Sequence, residues 1–164
     1  MSTYEAFVDS FEGDLVTPGH AEYAAALHRW AVNAERKAKL IAFVRNAEDV
    51  SRAVKYARAN KLPIAVRGGG HSASGASSSE GGLVIDLSRY LNGARIDVEK
   101  KLGYVGGGAI WETVDKEAIA HGLATVGGTV NHVSIVRPPS ILARTQFSDA
   151  RRPVSEGECG LLFA

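Results

Sequence analysis

A chain of 164 residues, 45% of them hydrophobic, has room for one ordinary globular core, or for one core and a looser tail. A formal net charge of +1 supplies no strongly basic or acidic surface, so neither nucleic acid nor a membrane is expected as a partner. The single cysteine, Cys159, excludes an intrachain disulfide and a cysteine metal cluster, and no window approaches the roughly 18 uninterrupted apolar residues of a membrane span.

The opening "MSTYEAFVDSFEGDLVTPGH" lacks a basic start followed by an apolar stretch, so no secretory leader is read and the cytoplasm is the expected compartment. Residues 1–19 read as a loosely tied segment ending in the turn "TPGH". The alanine-rich run "AEYAAALHRWAVNA" favours helix, and residues 1–35 form a first segment. "KLIAFV" has strand length. In "NAEDVSRAVKYARANKL", Asn46 is a good N-cap, and Val50, Ala53, Val54 and Ala57 make one apolar stripe at helical spacing. With the following strand "PIAVR" this is a βαβ-like unit whose two strands are expected to be parallel neighbours.

Farther along, "GLVIDLS" reads as a buried strand. "ARIDVE" and "LGYVGGG" form a strand pair turning near Lys100 and Lys101. "AIWETVDKEAIAHG" reads as a helix with Ile110, Val114 and Ala118 on one face and Gly122 as its stop. "LATVGG" is a short strand. Beyond Val133 neither period persists: residues 134–164 hold three of the five prolines, and all four basic residues there are arginine. The expected fold is α+β, with a partial domain over residues 36–133 and an irregular tail over 134–164.

Fourteen of the 18 glycines lie between Gly68 and Gly128, in clusters that mark sharp turns or close approaches of backbone to a ligand. The densest is "RGGGHS". A strand follows it, so it is not the G-x-G-x-x-G turn that opens a Rossmann helix, and no Lys-Ser or Lys-Thr pair makes it a Walker loop. Successive glycine N–H groups can still form an anion nest, with Ser72 and Ser74 as added donors and Arg67 as added charge. The residues alone leave two readings open, a phosphate cradle and a plain flexible turn. His71 is likewise either a bystander or a nucleophile, since neutral imidazole can attack an electrophilic ligand held beside it.

The stretch from "PIAVRGGGHSASGASSSEGGLVIDLS" through "GLATVGGTVNHV" resembles the FAD-linked oxidases of the berberine bridge enzyme-like group, in the vanillyl-alcohol oxidase / p-cresol methylhydroxylase (PCMH) superfamily. The likeness runs from about Val16 to Val133. It implies the N-terminal part of a PCMH-type FAD-binding domain: a small mixed sheet with flanking helices, plus the start of a second sheet. It implies FAD as cofactor, its pyrophosphate wrapped by Arg67, Gly68, Gly69, Gly70 and Ser72, and its ring joined covalently to His71. Gly127, Gly128 and Thr129 match a second segment along the cofactor. Some relatives add a cysteine tether in that segment; this chain has none there, so attachment through His71 alone is implied.

The implied reaction is hydride transfer from an alcohol or amine carbon of a small-molecule substrate to FAD, with dioxygen as acceptor. Relatives continue after the "GGTVNH" region into another glycine-rich stretch and then a substrate domain, whereas this chain switches to "VSIVRPPSILARTQ". A shifted reading frame, a retained intron or a misjudged gene model is the expected source of that break, and the fragment is truncated. No residue here takes the role of catalytic base. Besides an FAD-dependent oxidoreductase, a truncated flavin-binding module and an inactive fragment remain as readings.

Overall fold

The computed structural model describes residues 3–135, 148–149 and 161–163. The chain divides into two compact units, Met1–Leu91 and Asn92–Ala164. The first contains α1 (Thr3–Ser10), β1 (Asp14–Val16), α2 (Tyr23–Leu27), a 3-10 turn (Val32–Ala34), β2 (Leu40–Phe43), α3 (Ala47–Ala59), β3 (Ile64–Arg67) and β4 (Leu83–Asp86).

Its sheet has the order β1-β2-β4-β3. β2 and β3 both run parallel to β4, but β4 lies between them, so the two strands of the βαβ unit are parallel without being neighbours. Side-chain burial explains the insertion. All four residues of β4 are buried, which suits the centre of a sheet covered on both faces. β3 leaves Ile64 and Val66 exposed and takes the edge. Along β2 and β4, Leu40, Ala42, Leu83 and Ile85 point to one core, shared with Phe7, Ala53 and Ala57. Ile41, Phe43 and Val84 point to the other, shared with Val16, Ala26 and Ala65.

The N-terminal segment is not loosely tied. β1 pairs antiparallel with β2, and Phe7 of α1 stacks on Tyr56 of α3 with ring centroids 4.4 Å apart. The fastening is Asp49, fully buried. Its Oδ1 accepts from the Glu12 N–H (3.0 Å) and from Arg52 (3.1 Å), while Oδ2 accepts from the N–H groups of Gly13 (3.0 Å) and Arg45 (3.1 Å). Asn46 caps α3 as expected, accepting from the Asp49 N–H at 2.8 Å.

The alanine-rich run is not one helix either. α2 has five residues, because Arg29 turns inward and its Nη1 donates to the carbonyls of Ala26, Leu27 and His28. Those carbonyls would otherwise continue the helical ladder, so a tertiary contact overrides intrinsic propensity.

The second unit carries β5 (Ala94–Asp97) and β6 (Leu102–Val105) as an antiparallel pair, then α4 (Trp111–Ala120) and β7 (Leu123–Ala124). Ile96, Val105, Ala109, Val114, Ala118 and Leu123 form its core. Gly122 follows α4 at φ +68°, as its stop. Two short strands come from the region read as an irregular tail: β8 (Ser148–Asp149) pairs with β7, and β9 (Leu161–Phe163) runs parallel to β6. The rest of 136–164, with Cys159, lies outside the described residues. Among the described residues no helix is long and apolar enough to cross a membrane.

Asp49→Asn leaves one acceptor oxygen for four donors and sets an amide N–H₂ against backbone N–H groups. The expected loss is about 3 kcal/mol, read as a lower urea midpoint at unchanged m value. A second test concerns Asp14, held below the ordinary carboxylate value by the Tyr90 hydroxyl, which donates to its Oδ2 at 2.5 Å, and then by Arg89. A depressed carboxyl stabilises the fold above its unfolded value of about 3.9 and loses that contribution as pH falls through the folded value. Tyr90→Phe is therefore expected to flatten the stability curve below about pH 4, measured by denaturant titration across the acid range.

Candidate functional site

β3 and β4 are parallel neighbours, and parallel neighbours need a crossover of a dozen or more residues. Here residues 68–82 make that crossover without a helix, and the run of glycine, serine and alanine is the crossover itself. Loops of this length without secondary structure in compact domains are usually functional.

The loop begins where β3 ends. Arg67 Nη1 pairs with Asp86 Oδ2 at 2.7 Å, and Asp86, fully buried at the end of β4, also accepts from the N–H (2.9 Å) and hydroxyl (2.6 Å) of Ser88. Arg67 thus keeps part of its charge for its own sheet. Gly70 is buried at φ +74°, a backbone conformation that favours glycine; a Cβ there would meet Arg67 Nε at 3.2 Å and Arg29 Cδ at 3.3 Å. Gly68 and Gly69 are half-buried beside it.

Two consecutive residues hold the loop at two points. The Trp30 N–H donates to the Gly70 carbonyl at 3.2 Å. Arg29, 5% exposed, donates to the Ser77 carbonyl from Nε (3.1 Å) and Nη2 (2.8 Å). Burial, and then the neighbouring Arg67, pull the Arg29 guanidinium down to about 10, which still leaves it charged at neutral pH. His71 is half-buried, and its imidazole stacks on the Trp30 indole at 5.6 Å between centroids and 24° between planes. Ser72 turns inward on the loop: its Oγ lies 3.0 Å from Ser74 Oγ and accepts from the Ala76 N–H at 3.2 Å.

Four buried side-chain polar atoms among the described residues have no hydrogen-bond partner, and three line this loop: Arg67 Nε, Ser77 Oγ and Ser78 Oγ. Orphaned donors of this kind mark a place for an acceptor, and a diphosphate is all acceptor. At the carboxyl ends of the parallel strands, where α/β sheets bind ligands, a cleft of about 380 Å³ is lined by Phe43, Arg67, Ser88, Arg89, Glu22, Ala25 and Ala26.

The second expected segment belongs to the other unit. Gly127, Gly128 and Thr129 are exposed. The glycines have a local reason to be glycine: a Cβ on Gly127 would meet Trp111 Cε3 at 2.6 Å, and one on Gly128 would meet Trp111 Nε1 at 2.7 Å. The chain then folds over the start of α4, whose first N–H groups donate to carbonyls of that segment, Trp111 to Val133 (3.1 Å) and Glu112 to Asn131 (2.7 Å). Thr125 Oγ1, just before the glycines, is the fourth orphan. His132 is exposed, its Nδ1 3.3 Å from Asn131 Oδ1.

Arg29, Trp30 and Asp86 escaped the sequence reading. The only visible signal was Arg29-Trp30 interrupting an alanine run; nothing in a sequence marks an arginine that will be buried.

A glycine crossover between parallel strands, with buried unsatisfied donors and a left-handed glycine, has the chemistry that suits a phosphate-bearing ligand. This chain belongs to the FAD binding domain family, whose pattern matches residues 38–136. (R)-6-hydroxynicotine oxidase of Paenarthrobacter nicotinovorans is 37% identical over 128 residues, which is 78% of this chain and 28% of that enzyme. A crystal structure of 6-hydroxy-D-nicotine oxidase from Arthrobacter nicotinovorans superposes with a TM-score of 0.74 at 36% identity, over 77% of this chain and 28% of that one. The Physcomitrella patens protein BBE-like 1 shares the fold at 22% identity, TM-score 0.74, over 82% of this chain and 29% of its own. The fold is therefore the N-terminal part of a PCMH-type FAD-binding domain, and the chain spans just over a quarter of the length of these relatives.

The indole–glycine packing has a measurable signature. Gly127→Ala and Gly128→Ala are each expected to cost about 1–3 kcal/mol from overpacking, and much less in a Trp111→Leu background. A double-mutant cycle by urea denaturation checks this; purely additive effects would remove the close approach as the reason for glycine.

Proposed function

We propose that this chain is the flavin-gripping part of an FAD-linked oxidoreductase and that His71 is the point of covalent attachment. The observation that carries the reading is the set of orphaned donors at the start of the loop and along it, Arg67 Nε, Ser77 Oγ and Ser78 Oγ, in a loop whose Gly70 is left-handed. Arg67 and the backbone of Gly68, Gly69 and Gly70 would hold the pyrophosphate, since only a backbone without Cβ atoms lets phosphate oxygens reach the N–H groups. Ser72, released from its internal hydrogen bonds, would add a hydroxyl. His71 follows at once, so an imidazole nitrogen would stand next to the anchored cofactor.

Gly127, Gly128 and Thr129 would contribute exposed backbone along the same cofactor, shaped by Trp111. When bound, FAD supplies hydride acceptance from an alcohol or amine carbon and passes the electrons to dioxygen. The general base and the substrate pocket would come from the portion of such an enzyme that this chain does not match. A small molecule is the substrate class.

Purified full chain incubated with FAD gives the test. Yellow absorbance that stays with acid-precipitated protein, and is lost in His71→Ala, is the expected result. Flavin that binds but washes out in acid refutes the covalent bond and leaves a non-covalent flavin module. Colourless protein removes the flavin reading and leaves an inactive fragment.

A further inference from the structure

We infer that Trp30 is a positioning residue for flavin attachment: its indole sets the plane of the His71 imidazole while its backbone N–H fixes the loop that carries it. The inference rests on the proposed role of His71.

Exposure makes Trp30 conspicuous. It remains 65% exposed although it is the largest side chain in its segment, and its partner is not the core but an imidazole, 5.6 Å away and inclined by 24°. The same residue reaches the backbone one position before that imidazole, at the Gly70 carbonyl. Its neighbour Arg29 is anchored by hydrogen bonds to four carbonyls, those of Ala26, Leu27, His28 and Ser77. Trp30 therefore projects from a rigid point, with both the loop backbone and the imidazole plane referred to it.

Orientation matters because the terminal torsion of histidine is broad, and a stacked aromatic face narrows the ring planes the imidazole can take. Attachment replaces the imidazole N–H and one C–H of the flavin 8α-methyl group by an N–C bond. The two hydrogens leave as two protons and two electrons, which dioxygen takes up as hydrogen peroxide. Such a step needs the nitrogen lone pair aimed at one carbon, and a misplaced reacting group of this kind costs roughly 10- to 100-fold in rate. A flat aromatic face against the imidazole supplies the aim without donating or accepting the proton.

The test follows attachment, not turnover. Full chain, Trp30→Ala and Trp30→Phe are each mixed with FAD in air, and acid-stable flavin fluorescence is followed with time beside the equilibrium affinity for FAD. Expected is a slowing of roughly 10-fold or more in Trp30→Ala, near-normal attachment in Trp30→Phe, and affinity for FAD changed much less than the rate. In flavin-free protein, the ring-current displacement of the His71 C–H proton resonances is expected to vanish in Trp30→Ala and persist in Trp30→Phe. Attachment at the normal rate in Trp30→Ala overturns the positioning role while sparing His71 as the tether. Equal losses of rate and affinity in both variants reduce Trp30 to a loop support and also overturn it. Absence of covalent flavin in the unmutated chain overturns the tether, and the positioning role with it.

Discussion

One buried guanidinium organises the glycine-rich crossover. Arg29 spends its donors on the last carbonyls of α2 and on the Ser77 carbonyl within the loop, so the helix must stop and the loop must stay. A buried cation is tolerable only when its hydrogen-bonding capacity is met, and here backbone carbonyls meet it. Because Trp30 is the next residue, its contacts with Gly70 and His71 inherit that rigidity. A loop rich in glycine and serine, which would otherwise be costly to order, is thereby held at two points by consecutive residues.

The sheet gives this clamp something to face. Asp86 at the end of the central strand neutralises Arg67 at the end of the edge strand while leaving Arg67 Nε without a partner. An ion pair that used the whole guanidinium fork would hold the sheet equally well and leave nothing for a ligand. The half-used fork, the orphaned serine hydroxyls and the cleft at the carboxyl ends of β2, β3 and β4 lie in the same unit, Met1–Leu91. In the second unit the logic is steric. The Trp111 indole fills the space that side chains at positions 127 and 128 would need, so the glycines of that exposed segment have a structural reason of their own.

Local signals carried much of the secondary structure. The Asn46 cap, the stripe on α3, the β5–β6 turn at Lys101 and the Gly122 stop depend on residues a few positions apart, and each stands in the structure where the pattern put it. Failures came where distant residues decide. The helix of the alanine run was cut short at Arg29, the first residues gained order from Asp49, and β4 separated two strands expected to be adjacent.

Sequence by itself determined the family and the place of the glycine loop, because "RGGGHS" and its flanking strands combine residue types whose backbone freedom and chemistry are legible without coordinates. Only the tertiary structure decided how that loop is held: which carbonyl Arg29 grips, that Trp30 stacks on His71, and which nitrogen of Arg67 is left without a partner. These depend on contacts between residues tens of positions apart, and hydrophobic periodicity records burial without recording the partner.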